Sequence, residues 1–183
     1  MGTGFLQSVP VFQVCARNRL CTDSEGETQV STIAFFMRKH ITENCCEHDS
    51  AEIETALHEI GFSFERHDSE RETWWSVSDG SYYTDEDGAQ CPVTFNITLL
   101  KHTEDRLKTV QGECYAENIY FDCFGGYGYD QNGERAPDAC ALLLKFLHRY
   151  FAYYPDAYFR AEDYYSKAYI DEKYDSGAWE DWF

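Results

Sequence analysis

PDACALLLKFLHRYFAYY, residues 137–154, is the stretch of sequence that decides the fold. Its apolar residues recur at every third or fourth position, which is the spacing of one face of an α-helix. Lys145, His148 and Arg149 are almost the only polar interruption of this apolar stripe. The pattern therefore predicts a helix that lies in the protein core. The three cations either mark the solvent edge of this helix or pair with carboxylates inside the protein, and the sequence favours neither alternative.

The N-terminal part of the chain contains one predicted strand and two predicted helices. Residues 9–16, VPVFQVCA, have the β-branched and aromatic content of a strand. Helical spacing predicts a helix over about 29–42, although its segment VSTIAFFM also fits a buried strand. A better marked helix begins near Asp49 and Ser50, which are both suitable N-caps, and Gly61 ends it.

From residue 62 to residue 124 apolar residues alternate with polar ones, which is typical of half-buried β-strands. This segment predicts an antiparallel β-meander. The glycine-rich residues 125–133 predict a loop that leads into the core helix. Pro155 ends the core helix, and Asp156 can cap a further helix that continues to about Ile170.

These elements together predict an α+β fold, with an antiparallel β-meander of about five or six strands packed by helices on one side. No repeat or long linker divides the sequence, so we expect residues 1–183 to form a single domain. Residues 170–183 are acidic and aromatic without a regular period. They are a candidate for a loosely ordered tail.

The net charge of −18 and the pI of about 4.5 exclude several classes of partner. Nucleic acids and anionic membranes are bound by clustered lysine and arginine residues, so we expect neither as a direct partner. The sequence shows no basic and apolar export signal, and no apolar run of the ~18 residues that a membrane span needs. We therefore expect a cytoplasmic protein.

Eight cysteines are present, and in a cytoplasmic protein we expect most of them to be reduced and buried. Cys45 and Cys46 are followed by His48, but adjacent cysteines do not match the spacing of structural zinc sites. The segments Asp85–Gly88 and Asp130–Gly133 fit turns better than calcium loops, because neither continues to the required glutamate. The sequence therefore predicts no metal and no cofactor.

Motifs for catalysis are missing from the sequence, which contains no G-x-S-x-G elbow, no Walker loop and no dinucleotide-binding glycine motif. We therefore expect a protein without enzymatic activity. Two alternatives stay open. One is a small-ligand or metal-binding enzyme that uses the Gly125–Gly133 loop with nearby cysteine and histidine residues, and the other is a structural subunit of an assembly.

Residues 43–90 hold 14 acidic and 2 basic residues and so contain most of the net negative charge. Such a cluster is either an ordinary solubilising surface or a docking face for a cationic partner, with aromatic side chains as anchors. The repulsion among so many like charges favours the docking interpretation. The predicted partner-binding residues are Glu70, Glu72, Trp74, Trp75, Asp79, Tyr82, Tyr83, Asp85, Glu86 and Asp87.

The sequence thus predicts an acidic, non-enzymatic binding protein of the inhibitor or immunity type, with an antitoxin-like or nucleic-acid-mimicking mechanism. Its carboxylates would occupy a basic site on a protein partner, such as a toxin, a nuclease or a nucleic-acid-binding enzyme. The sequence does not predict the oligomeric state.

Overall fold

The described part of the chain contains three helices and twelve strands. The structure is a computed structural model, and it describes residues 20–22, 28–30, 32–39, 46–85, 87–101, 107–123, 139–177 and 182. The helices are α1 (Cys46–Glu59), α2 (Ala139–Tyr150) and α3 (Lys167–Ser176). The strands are β1 (Leu20–Thr22), β2 (Thr28–Val30), β3 (Thr32–Lys39), β4 (Ser63–Asp68), β5 (Glu72–Ser78), β6 (Tyr82–Thr84), β7 (Gln90–Pro92), β8 (Phe95–Leu100), β9 (Leu107–Val110), β10 (Glu113–Cys123), β11 (Tyr158–Arg160) and β12 (Tyr164–Ser166).

Eight of these strands form one antiparallel sheet in the order β12-β11-β3-β10-β8-β5-β4, with β9 paired to β10. The pairs β1–β2 and β6–β7 are separate antiparallel hairpins. The predicted α+β class with a meander-like antiparallel sheet is confirmed. The sheet is larger than the five or six strands predicted, because β3, β11 and β12 come from segments predicted as helix.

The helices pack on one face of the sheet, which we call the helical face. Trp75, Ile97 and Phe121 are consecutive partners across β5, β8 and β10, and all three are fully buried in the core. Ile53 of α1 and Ile170 of α3 belong to the same buried cluster, as do most residues of α2. Because successive strand residues point to opposite faces, the alternate residues of these strands form a second face.

Helix α2 is the core helix predicted from the sequence, and apart from Cys140 all its apolar side chains are buried. Its basic residues lie on the partly exposed edge of the helix, and each lies near a carboxylate of the same chain. Lys145 lies 3.5 Å from Asp79, and Arg149 donates a hydrogen bond of 2.5 Å to Glu59 at the end of α1. His148 lies 3.7 Å from a carboxylate of α3. Both alternatives for this basic stripe therefore hold, since it marks the solvent edge of the helix and also lies near carboxylates of the same chain.

The helix predicted over residues 29–42 is wrong, and the alternative of a buried strand holds. Residues 28–30 form β2, and β3 occupies an interior position between β10 and β11. Apolar residues occur at successive positions in this strand, because Ala34 and Phe36 lie in the core while Phe35 and Met37 between and after them are apolar too, and a short apolar run cannot be told from a helix by spacing alone. Ala34 and Phe36 reach the helical face and are buried, whereas Phe35, between them, lies on the second face.

Helix α1 confirms the predicted helix that Gly61 terminates, with Gly61 at φ +78°. The predicted start is wrong, because the helix begins at Cys46 rather than near Asp49 and Ser50. Both residues lie inside the first turn, and their side chains are 1% and 4% exposed. Asp49 therefore serves as an internal ion-pair partner, as described below, and not as a helix cap.

The helix predicted from Asp156 to about Ile170 is also wrong. The segment forms β11 and β12 at one edge of the sheet, and only its last residues, from Lys167, are helical, at the start of α3. Ser166 caps α3, and its side chain accepts a hydrogen bond from the backbone N–H of Tyr169 at 3.5 Å. Residues 170–177 of the predicted tail lie largely in α3. Trp182 is 1% exposed, and its indole N–H donates to the carbonyl of Cys140 at 2.9 Å.

The predicted strand at residues 9–16 and the predicted loop at residues 125–133 lie outside the described residues.

Candidate functional site

The structure removes Trp75 from the predicted docking residues. Its side chain is 0% exposed in the centre of the helical face, and its indole N–H donates to Glu54 of α1 at 3.1 Å. A side chain without surface cannot act as an anchor for a partner. Two adjacent tryptophans in a strand must point to opposite faces, so only one of them can lie in this core. The alternation of Thr73, Trp75 and Val77 is the sequence signal that separates them.

Trp74 lies on the second face and is half-buried. Its ring stacks on the imidazole of His67 in β4, with centroids 3.9 Å apart and planes at 14°. Glu72, two residues earlier in β5, shares this face, and Glu70 is exposed in the turn between β4 and β5. The structure therefore brings Trp74 and Glu72 together on one surface, with Glu70 at its end.

The other predicted residues lie in or before the β6–β7 hairpin. Tyr82 is 52% exposed, whereas Tyr83 is partly buried and packs against the core. Asp79 accepts hydrogen bonds from the backbone N–H and the hydroxyl of Ser81 at 2.9 and 2.5 Å. Asp85 accepts the backbone N–H groups of residues 87 and 89 at 3.1 and 2.7 Å, so it stabilises the hairpin turn. Asp87 is exposed, and Glu86 lies outside the described residues.

The two groups lie at opposite ends of β5. Glu72 is the first residue of this strand and Ser78, which leads to the hairpin, is the last. At a rise of about 3.3 Å per residue, the two ends are about 20 Å apart. The nine predicted residues that the structure describes therefore occupy a core position and two separate surfaces, and not one continuous face.

The carboxylates of the described residues divide into neutralised and free groups. Most lysine and arginine side chains pair inside the molecule, in the ion pairs Arg38–Asp49, Lys39–Glu113, Arg66–Glu54, Arg66–Asp68, Lys101–Asp68, Lys145–Asp79, Arg149–Glu59, Arg160–Glu117 and Lys167–Asp171. Glu70, Glu72, Asp85 and Asp87 make no ion pair with any described residue. These four predicted residues therefore contribute unbalanced negative charge.

Sequence reasoning missed a buried polar cluster beside α2. The guanidinium of Arg38 donates to both carboxylate oxygens of Asp49 at 2.8 and 2.6 Å, and it lies 3.3 Å from the amide oxygen of Asn118. A register shift in β10 between Ala116 and Ile119 marks a β-bulge next to Asn118. The signal in the sequence was Arg38 itself. It follows the buried Phe36 by two residues in β3, so its side chain points to the same face.

The charges of this cluster are fixed by their surroundings. Burial by itself lowers the pKa of Arg38, but the hydrogen bond and the negative charge of Asp49 outweigh it and hold the pKa above its usual range. Burial raises the pKa of Tyr150 well above its usual value. Burial and a hydrogen bond to Glu52 likewise raise the pKa of Tyr154. The guanidinium is therefore charged and both phenols are protonated at neutral pH.

A cleft of about 200 Å³ adjoins this cluster. Arg38 and Lys39 line one wall, and residues 153–157 line the other. The Nε of Arg38 and the hydroxyl of Tyr150 are buried without a hydrogen-bond partner among the described residues. An ordered water or a small ligand with a hydrogen-bond acceptor fits this combination.

The described residues contain neither a candidate metal site nor a candidate membrane-spanning helix. In the regions that the structure describes, no group of three or more His, Cys, Asp or Glu is placed to hold a metal ion. No described helix has the length and apolar character needed to cross a membrane. Comparison of the chain with protein-family models, curated proteins and solved structures finds no match.

Proposed function

We propose that this protein is a non-enzymatic acidic binding protein of the inhibitor or immunity type, which occludes a basic site on a protein partner. The supporting observation is the division of charges within the described residues. Lysine and arginine side chains are largely consumed by internal ion pairs, while Glu70, Glu72, Asp85 and Asp87 are left without one. The partner would be a toxin, a nuclease or another enzyme that binds nucleic acid through a basic cleft.

The physical basis of this function is electrostatic steering. Unbalanced carboxylates on a rigid sheet attract a basic surface over a distance set by the Debye length, about 10 Å at 0.1 M salt. Carboxylates can then occupy the positions at which such a partner binds phosphate groups. Charge mainly sets the association rate, whereas desolvated aromatic contacts slow dissociation.

A second candidate function, binding of a small ligand, is favoured by the cleft beside Arg38. Arg38 lines this cleft, and its Nε, which has no hydrogen-bond partner among the described residues, can donate to a ligand that carries a carbonyl or hydroxyl group. The predicted alternative that used the Gly125–Gly133 loop falls outside the described residues, so the cleft is a different site. Specific binding of a small molecule that Tyr154→Ala abolishes, without loss of fold, would favour this function.

The test of the first function compares two variants that remove the same charge. The first variant neutralises Glu70, Glu72 and Asp87, and it leaves Asp85 intact because that residue holds the hairpin turn. The control variant neutralises Asp156, Glu172 and Asp175, three exposed acids in the C-terminal part of the chain. Both use Glu→Gln and Asp→Asn substitutions.

The partner is first captured from a lysate of the native host at low salt and then purified. Surface plasmon resonance then measures its association with the wild type and both variants at increasing salt. We expect association to slow with salt, and to slow several-fold more in the first variant than in the control. Association that does not depend on salt, or an equal loss in both variants, would contradict the proposed function and leave the charge as a solubility device.

A further inference from the structure

Seven side chains form one row across the second face of the sheet. They are consecutive partners on neighbouring strands from β4 to β12, and they constitute the cross-sheet row: His67, Trp74, Thr98, Tyr120, Phe35, Arg160 and Tyr164. Six strand spacings of about 4.8 Å give this row a length of about 29 Å. Five of the seven rings or chains are partly accessible, Tyr164 is 43% exposed, and only Thr98 is buried.

The row is not part of the hydrophobic core. None of its rings belongs to the buried cluster that joins the helices to the helical face. Its members instead contact one another along the row, with His67 stacked on Trp74 and with the rings of Phe35 and Tyr120 at a centroid distance of 6.2 Å. The two aromatic pairs are separated by buried Thr98, and partly exposed aromatic side chains on one sheet face are typical of a contact surface rather than of a solubilising one.

The row already holds one guanidinium group of this chain, next to its Tyr164 end. The guanidinium carbon of Arg160 lies 4.6 Å from the centroid of the Phe35 ring, and its Nε donates to Glu117 at 2.7 Å. Glu117 is 3% exposed, so this ion pair is shielded from water. A ring below and a carboxylate beside the group are the two contacts that guanidinium prefers. The second face therefore has the chemistry to hold arginine.

The Trp74 end of the row offers the same two kinds of group, and no described arginine lies over the Trp74 ring. The carboxylates of Glu65 and Glu72 lie two residues from His67 and Trp74 on the same face. Glu65 is 77% exposed, and among the described residues its carboxylate lies 3.4 Å from the imidazole of His67. Glu72 makes no ion pair with a described residue. Aromatic surface and unbalanced negative charge therefore coincide at this end.

We propose that the cross-sheet row is the docking surface for an arginine-bearing segment of a basic protein partner. One guanidinium group of the partner stacks on Trp74, where Glu65 and Glu72 pair with it, and another stacks on Tyr164 at the other accessible end of the row. The inference rests on the proposed function and names the surface and the chemistry that the partner presents. It places the docking surface on the second face, away from the β6–β7 hairpin.

Charge distinguishes this occupant from others that aromatic sheets bind. Bases of single-stranded nucleic acid also stack on such rings, but their phosphates would be repelled by a chain of net charge −18. A second copy of this chain would bring Glu65 and Glu72 against like charges in a symmetric contact. A cationic segment meets neither obstacle.

The test uses two extended peptides of equal length and charge, an Arg-Gly repeat and a Lys-Gly repeat, with the full-length protein. Calorimetry should show that the arginine peptide binds about tenfold more tightly, because a planar guanidinium stacks on rings better than an ammonium. Trp74→Ala and Tyr164→Ala should each lower the affinity for the arginine peptide by about fivefold. Tyr82→Ala is the matched control, since Tyr82 is similarly exposed but lies on the hairpin, and it should change nothing.

Chemical-shift mapping on the wild type keeps the inference testable if Trp74→Ala does not fold. The arginine peptide should perturb the Trp74 indole and the Tyr164 ring before any residue of the hairpin. Equal affinity for both peptides, or an equal loss in Tyr82→Ala, would overturn the inference. So would tight binding of an oligothymidylate that requires Trp74, or a wild-type dimer that Trp74→Ala converts to a monomer.

Failure of the inference is distinguishable from failure of the proposed function. If the row variants bind both peptides like the wild type, but the variant of Glu70, Glu72 and Asp87 associates slowly with the captured partner, only the inference fails. If that acidic variant and its control associate equally, the proposed function fails whatever the peptides show.

Discussion

The two faces of the sheet use the same residue types for different purposes, and adjacent residues Trp74 and Trp75 illustrate this. Trp75 is 0% exposed on the helical face, where α1 and α2 cover it. Trp74 is half-buried on the second face, where it stacks on His67. One peptide unit separates a core residue from a candidate contact residue. Burial therefore follows from the pleat of the strand and not from the residue type.

Both faces also hold an arginine that is paired with a carboxylate, but the surroundings differ. On the helical face Arg38 is paired with Asp49 of α1, so its ion pair connects a strand to a helix. On the second face Arg160 is paired with Glu117 of β10, so its ion pair connects two strands. The first pair fixes the position of α1 on the sheet. The second pair leaves the sheet surface accessible around it.

The largest expected effect is a difference in stability between the two tryptophans. Trp75→Ala should lower the free energy of unfolding by about 3–5 kcal/mol, because it leaves a cavity in the core. Trp74→Ala should cost no more than about 1.5 kcal/mol, which is the scale of one aromatic stack. Urea denaturation of both variants measures the difference. Similar losses in the two variants would show that the assignment of the faces is wrong.

The next prediction concerns the buried ion pair of the helical face. Asp49→Ala should cost about 3 kcal/mol, because it leaves the charge of Arg38 buried and without its carboxylate. The double variant Arg38→Met with Asp49→Leu should recover at least half of this loss, since it removes both charges. The same urea experiment measures both variants. A double variant no more stable than Asp49→Ala would indicate that the pair contributes specific stability beyond charge compensation.

The smallest expected effect is a pH dependence of stability, which arises from the ion pair between Glu59 of α1 and Arg149 of α2. Hydrogen bonds from Arg149 and Tyr153 hold the pKa of Glu59 below its usual range. A carboxyl group with a lowered pKa in the folded state stabilises the protein above its unfolded pKa of about 4.3, and this contribution is lost as the pH falls through the folded value.

The wild type should therefore have a higher Tm than Glu59→Gln near neutral pH, by at most a few degrees because the pair is exposed. The difference should narrow in calorimetric scans below about pH 4. Asp175→Asn serves as the control, because Asp175 is exposed and makes no ion pair with a described residue. A Tm difference that stays constant as the pH falls would mean that the Glu59 charge does not stabilise the fold.

Much of the fold could be predicted from local pattern. The apolar stripe of α2, the glycine that ends α1 and the alternation in β4, β5, β8 and β10 are signals that each depend on a short segment. Two helix predictions failed, over residues 29–42 and from Asp156 onwards, for the same reason. A strand inside a sheet or a short edge strand rich in tyrosine has a spacing that fits both structures, and only its hydrogen-bonding neighbours decide.

The predicted site, like the fold, could be predicted only in the features that depend on local sequence. Composition indicated an acidic region with aromatic residues, and Glu70, Glu72, Trp74, Tyr82 and Asp87 are indeed accessible or partly accessible. These residues are close together in the sequence, which did not indicate that the length of β5 separates them into two surfaces about 20 Å apart. The sequence also could not place Phe35, Tyr120 and Arg160 in one row with Trp74, because these residues come from strands far apart in the chain.

The amino-acid sequence by itself determined the excess of negative charge, the apolar helix that fills the core and the α+β class, because charge and periodicity are local properties of a chain. Tertiary structure decided which of two adjacent tryptophans is buried, which carboxylates are neutralised and which side chains share the second face. These outcomes depend on strand order and register. Pairing between distant segments sets order and register, and no short stretch of sequence contains that information.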